Sequence, residues 1–260
     1  LALSVGSWLS DNECGKAAAP GVRMKAVTYC DYGTADVLRL EDVEKPVPGD
    51  DELLVRVHAA GVNPLDWHYM RGTPYLMRLS SGLRKPKDTR LGVDYAGTVE
   101  AVGRNVTRFK PGDQVFGGRS GALAQYVVAK QDGAVALRPA NVSVEQAGAV
   151  AIAATTALQG LRDAGRLEAG DKVLINGASG GVGTFAVQIA KSMGAEVTAV
   201  CSTRNVELVR SLGADHVVDY TRDDYTGVDA RYDVILDNVG NRSLAENRRV
   251  LEPDGRYVLI

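Results

Sequence analysis

Cysteine and histidine are scarce in this 260-residue chain, with three of each. Cys14, Cys30 and Cys201 are widely scattered and odd in number, so they form neither a disulfide framework nor a zinc-type cluster. A reducing, cytoplasmic setting is the expectation that follows. Charge of one sign is also missing: 30 Lys and Arg against 32 Asp and Glu leave a formal charge of −2. That balance gives no long-range attraction for nucleic acid or an anionic membrane. No apolar run approaches the roughly 20 residues needed to cross a bilayer, and there is no solenoid-period repeat or low-complexity tract. What is there is ordinary globular composition, 45% apolar and 24% charged, enough for one large domain or two moderate ones.

Both ends carry expectations. Residues 1–23 read as a disordered or extraneous extension ahead of a natural start at Met24-Lys25-Ala26-Val27. The run Leu1-Ala2-Leu3-Ser4-Val5 keeps a clipped signal peptide open, although no basic residue precedes it. The chain stops inside an apparent strand, Arg256 to Ile260, so a C-terminally truncated fragment is expected.

Residues 24–145 are patterned as short strands and turns. Leu53 to Ala59, Gly97 to Gly103, Gln114 to Phe116 and Ala124 to Val128 read as strands, punctuated by Pro46, Pro48, Gly49 and Pro111-Gly112-Asp113. A partly open β-barrel or irregular sheet is expected there. From about 146 the character changes to α/β. An alanine-rich helical stretch, Glu145 to Gly165, leads into strands at Lys172–Asn176, Glu196–Val200, His216–Val218, Asp233–Leu236 and Arg256–Ile260. Helices alternate with them, one carrying Val182, Ala186, Ile189 and Ala190 on a stripe and stopped by Gly194, another capped by Asn205. The order implies a doubly wound parallel sheet.

The turn after the first of those strands reads Gly177-Ala178-Ser179-Gly180-Gly181-Val182-Gly183. Small residues there let backbone approach a pyrophosphate, and the following helix offers free N–H groups and a positive dipole end. Ala178 stands where the first glycine of the usual string would be, and a ligand-free tight turn remains the alternative. At the end of the second strand an NAD site places a carboxylate for the ribose 2′-hydroxyl. This chain has Cys201-Ser202-Thr203-Arg204 instead, two hydroxyls and a guanidinium suited to a 2′-phosphate, which points to NADP(H). The alternative is that Ser202 and Arg204 merely cap the next helix.

Over residues 24–260 the sequence resembles the medium-chain dehydrogenase/reductases, in the zinc-independent quinone oxidoreductase branch related to zeta-crystallin. The carriers are Met24 to Val27, Gly61-Val62-Asn63-Pro64-Leu65-Asp66, Gly92-Val93-Asp94-Tyr95-Ala96-Gly97, Val102-Gly103 and Pro111-Gly112-Asp113-Gln114-Val115. They continue with Ala154-Thr155-Thr156-Ala157-Leu158, the glycine turn and Asp237-Asn238-Val239-Gly240. The resemblance implies a GroES-like domain over 24–145 and a Rossmann NADP-binding domain over 146–260, incomplete at its C-terminus. Zinc-dependent relatives carry a cysteine near Asn63-Pro64 and Gly-His-Glu at Gly92-Val93-Asp94; both are missing, so no metal is expected.

Without a Lewis acid, the simplest chemistry is hydride transfer from NADPH to an already electrophilic small molecule, a quinone or conjugated enone. By resemblance, Asn63 lies near the nicotinamide and substrate. Asp66, His68 and Tyr69, on the same segment, are candidates for hydrogen bonding or proton relay, each with a structural alternative: capping for Asp66, packing for His68 and Tyr69. Thr155 and Thr156 match positions at the nicotinamide end, and Ser179, Gly180, Gly181 and Val182 the pyrophosphate turn. Ser202, Thr203 and Arg204 match the 2′-phosphate site, Tyr220 an aromatic flank of the adenosine, and Asn238 a position bordering the cofactor. Alternatives are a 2-enoyl thioester reductase, a zinc-free alcohol dehydrogenase, and a non-catalytic, crystallin-type NADPH-binding protein. The basic segment Arg84 to Arg90 suits an anionic acyl-CoA or simply a solvated loop, and Trp67 and Tyr75 an aromatic cleft or scaffold packing. No nucleic-acid or membrane partner is expected, and the resemblance implies a homodimeric parent whose nicotinamide pocket is completed beyond the fifth strand.

Overall fold

A computed structural model describes residues 21–227 and 229–260. The expected extension, 1–23, lies almost wholly outside the described residues. The chain divides into two compact units, the first ending at Ile152 and the second spanning Ala153–Ile260.

The first unit opens with β1 (Arg23–Thr28) and β2 (Arg39–Glu44), an antiparallel pair that the sequence pattern did not announce. β3 (Glu52–Gly61) runs into α1 (Pro64–Arg71) and a single turn, α2 (Arg78–Ser81). β4 (Asp94–Val102), β5 (Gln114–Gly118), β6 (Tyr126–Lys130) and β7 (Val135–Leu137) complete an antiparallel sheet in the order β6-β3-β4-β5-β7. Register shifts at Leu54/Val55 and Val57/Ala59 break the β3–β4 ladder; such bulges bend a strand and raise its twist, curling the sheet toward the expected half-barrel. Its inner face is apolar by alternation. Leu53, Val55, Tyr95, Val99, Val115 and Val127 pack together with Phe109, all buried. α3 (Val144–Ala147) starts at Ser143, whose hydroxyl accepts from Gln146 N–H. α4 (Ala151–Leu158) spans the division between the units and runs on as a π-turn over Gln159–Ala164.

The second unit is the alternating α/β part. Its strands are β8 (Lys172–Asn176), β9 (Glu196–Cys201), β10 (His216–Asp219), β11 (Tyr232–Asp237) and β12 (Leu251–Leu259). They pair in parallel in the order β10-β9-β8-β11-β12. Between them run α5 (Gly181–Ser192), α6 (Val206–Ser211) and α7 (Leu244–Arg249). The strand order reverses beside β8, the topological switch point at which open α/β sheets bind ligands. Val173, Leu174 and Ile175 are all fully buried because both faces of β8 are covered. Val173 and Ile175 join the cluster that includes Ala186, Val187 and Ala190 of α5. Leu174 faces the other way, onto Val200, Tyr232 and Ile235.

Two local expectations need correction. Asn205 directly precedes α6 but makes no capping hydrogen bond: it closes the turn Thr203–Asn205 with φ −107° and ψ 1°, away from the extended backbone of a cap, and its Nδ2 donates elsewhere. Cys30 is disulfide-bonded while Cys201 is a free, buried thiol, so scattered cysteines did not exclude a bridge. No helix among the described residues is long and apolar enough to cross a membrane.

Candidate functional site

In the first unit the expected site residues gather where β3 turns into α1. Pro64 fixes the first helical position, where a missing N–H costs nothing. The Asn63 N–H donates to Asp66 Oδ2 at 2.8 Å, and the Asp66 N–H is taken by the Asn63 carbonyl at 3.0 Å. The Asn63 side chain faces the Asp66 N–H in the reciprocal half of a capping box, and its Nδ2 donates to Asp94 Oδ2 at 3.0 Å. Asp94 is buried at the start of β4, and its Oδ1 accepts from Ile152 N–H at 2.9 Å.

Asp66, also buried, accepts from Gly92 N–H through its other oxygen at 3.0 Å. Both its oxygens therefore hold the loop together. Burial raises the Asp66 and Asp94 carboxyls above the ordinary carboxylate value, against the hydrogen bonds that pull them down. His68 donates from Nδ1 to the Thr73 carbonyl at 2.7 Å, which leaves Nε2 without a hydrogen bond among the described residues. Tyr69 packs its ring against the cluster of Tyr29, Met70 and Leu91. Trp67 and Tyr75 are both exposed, each with an arginine over its ring, Arg71 and Arg78 respectively. In the basic segment, Lys85 pairs with Asp31 at 3.1 Å.

The donor set for a metal is weak. Among the described residues no three His, Cys, Asp or Glu side chains come together. His58 contacts Thr98 Oγ1 and His216 contacts Glu196 Oε1, so each imidazole is engaged by a side chain of its own sheet.

In the second unit the glycine turn joins β8 to α5. Gly177 has φ +74° and Gly180 leads into the helix with φ −81° and ψ 176°. The later glycines do different work. A Cβ on Gly183 would stand 2.2 Å from the Gly177 carbonyl oxygen and 2.7 Å from Ala178 Cα, so that glycine is demanded by the close approach of helix to turn. A Cβ on Gly181 would meet no heavy atom within 4 Å. Nothing in the described fold requires glycine there, while a ligand laid against the helix N-terminus would.

Asn238, at the end of β11, donates from Nδ2 to the Asn176 carbonyl at 2.8 Å. Its Oδ1 is buried with no partner among the described residues. An orphaned buried acceptor costs about 1–3 kcal/mol, which a ligand hydroxyl would offset. Behind it, the fully buried Asp237 accepts from Asn176 Nδ2, Val239 N–H and Gly240 N–H, each at 2.9 Å, and from the Tyr257 hydroxyl at 2.8 Å. Burial, with the Asp237 hydrogen bond behind it, pushes that phenol up to about 12. Sequence reasoning quoted Asp237 without a role; its proximity to Asn176, across the sheet, is visible only in the fold. These features fit a dinucleotide: a bare backbone turn at a helix N-terminus and an unpaired acceptor beside it.

At the end of β9 the expected residues separate into two groups. Asn205 Nδ2 donates to Ser202 Oγ at 3.2 Å and to Ser179 Oγ at 3.0 Å, tying the strand end to the glycine turn. Arg204 is exposed, and no described residue pairs with it. Thr203 is committed differently: its hydroxyl donates to Asp219 Oδ2 at 2.5 Å. Thr221 supplies Asp219 with a hydroxyl at 2.8 Å and an N–H at 3.0 Å. These bonds, the Thr203 hydroxyl first, hold the Asp219 carboxyl below the usual range. The sequence had no carboxylate at the end of β9, yet the fold supplies one from the end of the neighbouring strand, with the Asp219 Cα paired to Cys201. Tyr220 follows it with its ring exposed. Thr155 and Thr156 lie on α4.

Comparison with known proteins agrees with this division. Residues 49–140 match the family "Alcohol dehydrogenase GroES-like domain" and residues 181–260 the family "Zinc-binding dehydrogenase". The chain is similar to the 2-methylene-furan-3-one reductase of Solanum lycopersicum, at 34% identity over 100% of this chain and 68% of the relative. It is similar to the chloroplastic NADPH-dependent alkenal/one oxidoreductase of Arabidopsis thaliana, at 35% identity over 91% of this chain and 62% of the relative. The solved quinone oxidoreductase of Coxiella burnetii superposes with a TM-score of 0.81 at 31% identity, covering 90% of this chain and 74% of its own. The chain thus spans about two thirds of the length of the relatives it matches.

Proposed function

The chain belongs to the medium-chain dehydrogenase/reductase oxidoreductases, in their quinone oxidoreductase-like branch, and on that premise we propose that it reduces quinones or conjugated enones with NADPH and without zinc. One observation carries the proposal. Beside a turn whose Gly181 is open to a ligand, the end of β9 offers Ser202 and the unpaired Arg204 in place of an acid. When bound, the cofactor supplies a hydride; the chain's residues bind, orient and hold protons.

The N–H groups that open α5 meet the pyrophosphate, where twelve residues of aligned peptide dipoles favour an anion. Ser202 and Arg204 receive the 2′-phosphate through charge-assisted hydrogen bonds. Thr203 contributes by fixing Asp219, which also accepts from Thr221 and lies 3.8 Å from Arg222. Asn238 Oδ1 accepts from the cofactor, and Tyr220, Thr155 and Thr156 border it. In the first unit, Asn63, oriented by Asp94 and by the start of α1, borders the nicotinamide or substrate. Asp66 is committed to the loop, so proton relay falls to His68 Nε2 or the Tyr69 hydroxyl. A quinone or enone needs no Lewis acid once positioned, and the side chains around Asn63 are hydrogen-bonded to one another instead of converging as ligands.

The test is NADPH oxidation against a panel of quinones, enones and 2-enoyl thioesters, with and without a chelator. Turnover of quinones or enones, unaffected by the chelator, is expected. Turnover only with added zinc, or only with enoyl thioesters, would overturn the assignment, and NADPH binding without turnover of any acceptor would favour a non-catalytic role.

A further inference from the structure

We infer that Asn205 is the positioning residue of the adenosine-phosphate site, turning the hydroxyl protons of Ser179 and Ser202 outward as donors to the cofactor. The inference rests on the NADPH reading and deepens it. A serine hydroxyl has one proton and two acceptor lone pairs. Asn205 Nδ2 donates to Ser179 Oγ at 3.0 Å and to Ser202 Oγ at 3.2 Å, so each oxygen is occupied as an acceptor. No described group accepts from either serine, and both protons are left for a ligand. One serine stands on the glycine turn and the other at the end of β9; a single amide therefore sets the polarity of both the pyrophosphate and the 2′-phosphate contacts.

Two neighbouring facts set this apart from ordinary packing. Asn205 directly precedes α6 and is a residue type favoured as a cap, yet its side chain makes no capping bond. Asn205 instead closes the turn Thr203–Asn205, and its amide reaches across to the glycine turn. Thr203, one residue from Ser202, shows the opposite arrangement: Asp219 captures its proton. Of the two hydroxyls at the strand end, only that of Ser202 is prepared as a phosphate donor. The geometry thus names Ser202 over Thr203 as the side chain that discriminates the 2′-phosphate, and Asn205 as the reason.

The test is a fluorescence titration of the chain with NADPH and NADH, using Asn205→Ala, Ser202→Ala, Ser179→Ala, Thr203→Val and the double variants. Asn205→Ala is expected to weaken NADPH about tenfold and NADH by less, because only the Ser179 contact is shared. Ser202→Ala added to Asn205→Ala should cost little more, whereas Thr203→Val and Asn205→Ala, which share no hydrogen bond, should add. Asn205→Asp, close in shape but able only to accept, should weaken NADPH about a hundredfold, and it serves where the alanine variant does not fold. Unchanged NADPH affinity in Asn205→Ala, or equal losses for both nucleotides with fully additive doubles, would overturn the inference. Should the parent chain bind both nucleotides alike, the NADPH reading fails instead. Asn205 is then judged by its coupling to Ser179→Ala on either nucleotide, and additive losses there would overturn the inference.

Discussion

The Asn63 amide donates to the buried Asp94 carboxylate at 3.0 Å, and that carboxylate is held in turn by the Ile152 N–H at 2.9 Å. The pair fixes the orientation of the amide: Nδ2 is consumed by Asp94, and the side chain faces the Asp66 N–H that opens α1. An acid at position 94 therefore acts on the site through Asn63.

Removing that acid should disorient Asn63. Asp94→Ala is expected to lower kcat/KM for a quinone about ten- to hundredfold, the size of a lost hydrogen bond to a charged group, with NADPH affinity nearly unchanged. The reciprocal swap, Asn63→Asp with Asp94→Asn, keeps a hydrogen bond but presents a carboxylate. Its melting temperature should recover toward the parent's while turnover does not. Recovery of both would show that Asp94 has only a structural role.

The two glycines of the turn should respond oppositely. Gly183→Ala pushes a methyl to within 2.2 Å of the Gly177 carbonyl oxygen and is expected to destabilise by about 1–3 kcal/mol, as overpacking does. Gly181→Ala meets nothing within 4 Å; its stability should hold or rise slightly, since the unfolded chain loses freedom. Its NADPH affinity should fall about tenfold, because the new methyl stands where backbone must approach phosphate. Chemical denaturation and nucleotide titration on both variants check the pair.

Asp66 and Asp94 give a pH signature. Burial raises both carboxyls, so the folded state binds protons more tightly than the unfolded state. Their ionisation penalises the fold at neutral pH, and the penalty is relieved as pH falls through the raised value toward the unfolded one. The parent should therefore lose less stability between pH 7 and pH 4 than Asp94→Asn, which lacks one such group. Urea unfolding across that range checks it; a parent that loses stability faster than the variant would contradict the sign.

Much of this was legible in the sequence, for identifiable reasons. β8, β9 and β11 are buried on both faces, so their apolar runs stand out, and Gly194 follows α5 in a left-handed conformation, φ +85°, that marks its end. β1 and β2 were missed in part because β2 is largely exposed and charged, Arg39-Leu40-Glu41-Asp42-Val43-Glu44, leaving no alternation to read. At the site, residue types were legible and their hydrogen-bond allegiances were not. Asn205 looked like a cap until the turn 26 residues earlier came within reach of its amide. Asp219 was invisible as a neighbour of Thr203 because strand pairing, not sequence distance, puts the ends of β9 and β10 side by side.

The end of β9 is the proposed seat of nucleotide preference, and the most direct measurement is the ratio of NADPH to NADH affinity in the parent chain and in Arg204→Ala. Arg204 is exposed and unpaired among the described residues, so its loss should leave the fold intact. The parent should prefer NADPH, and the variant should weaken NADPH about tenfold or more while leaving NADH within about twofold. Equal losses for the two nucleotides, or a parent that prefers NADH, would contradict it.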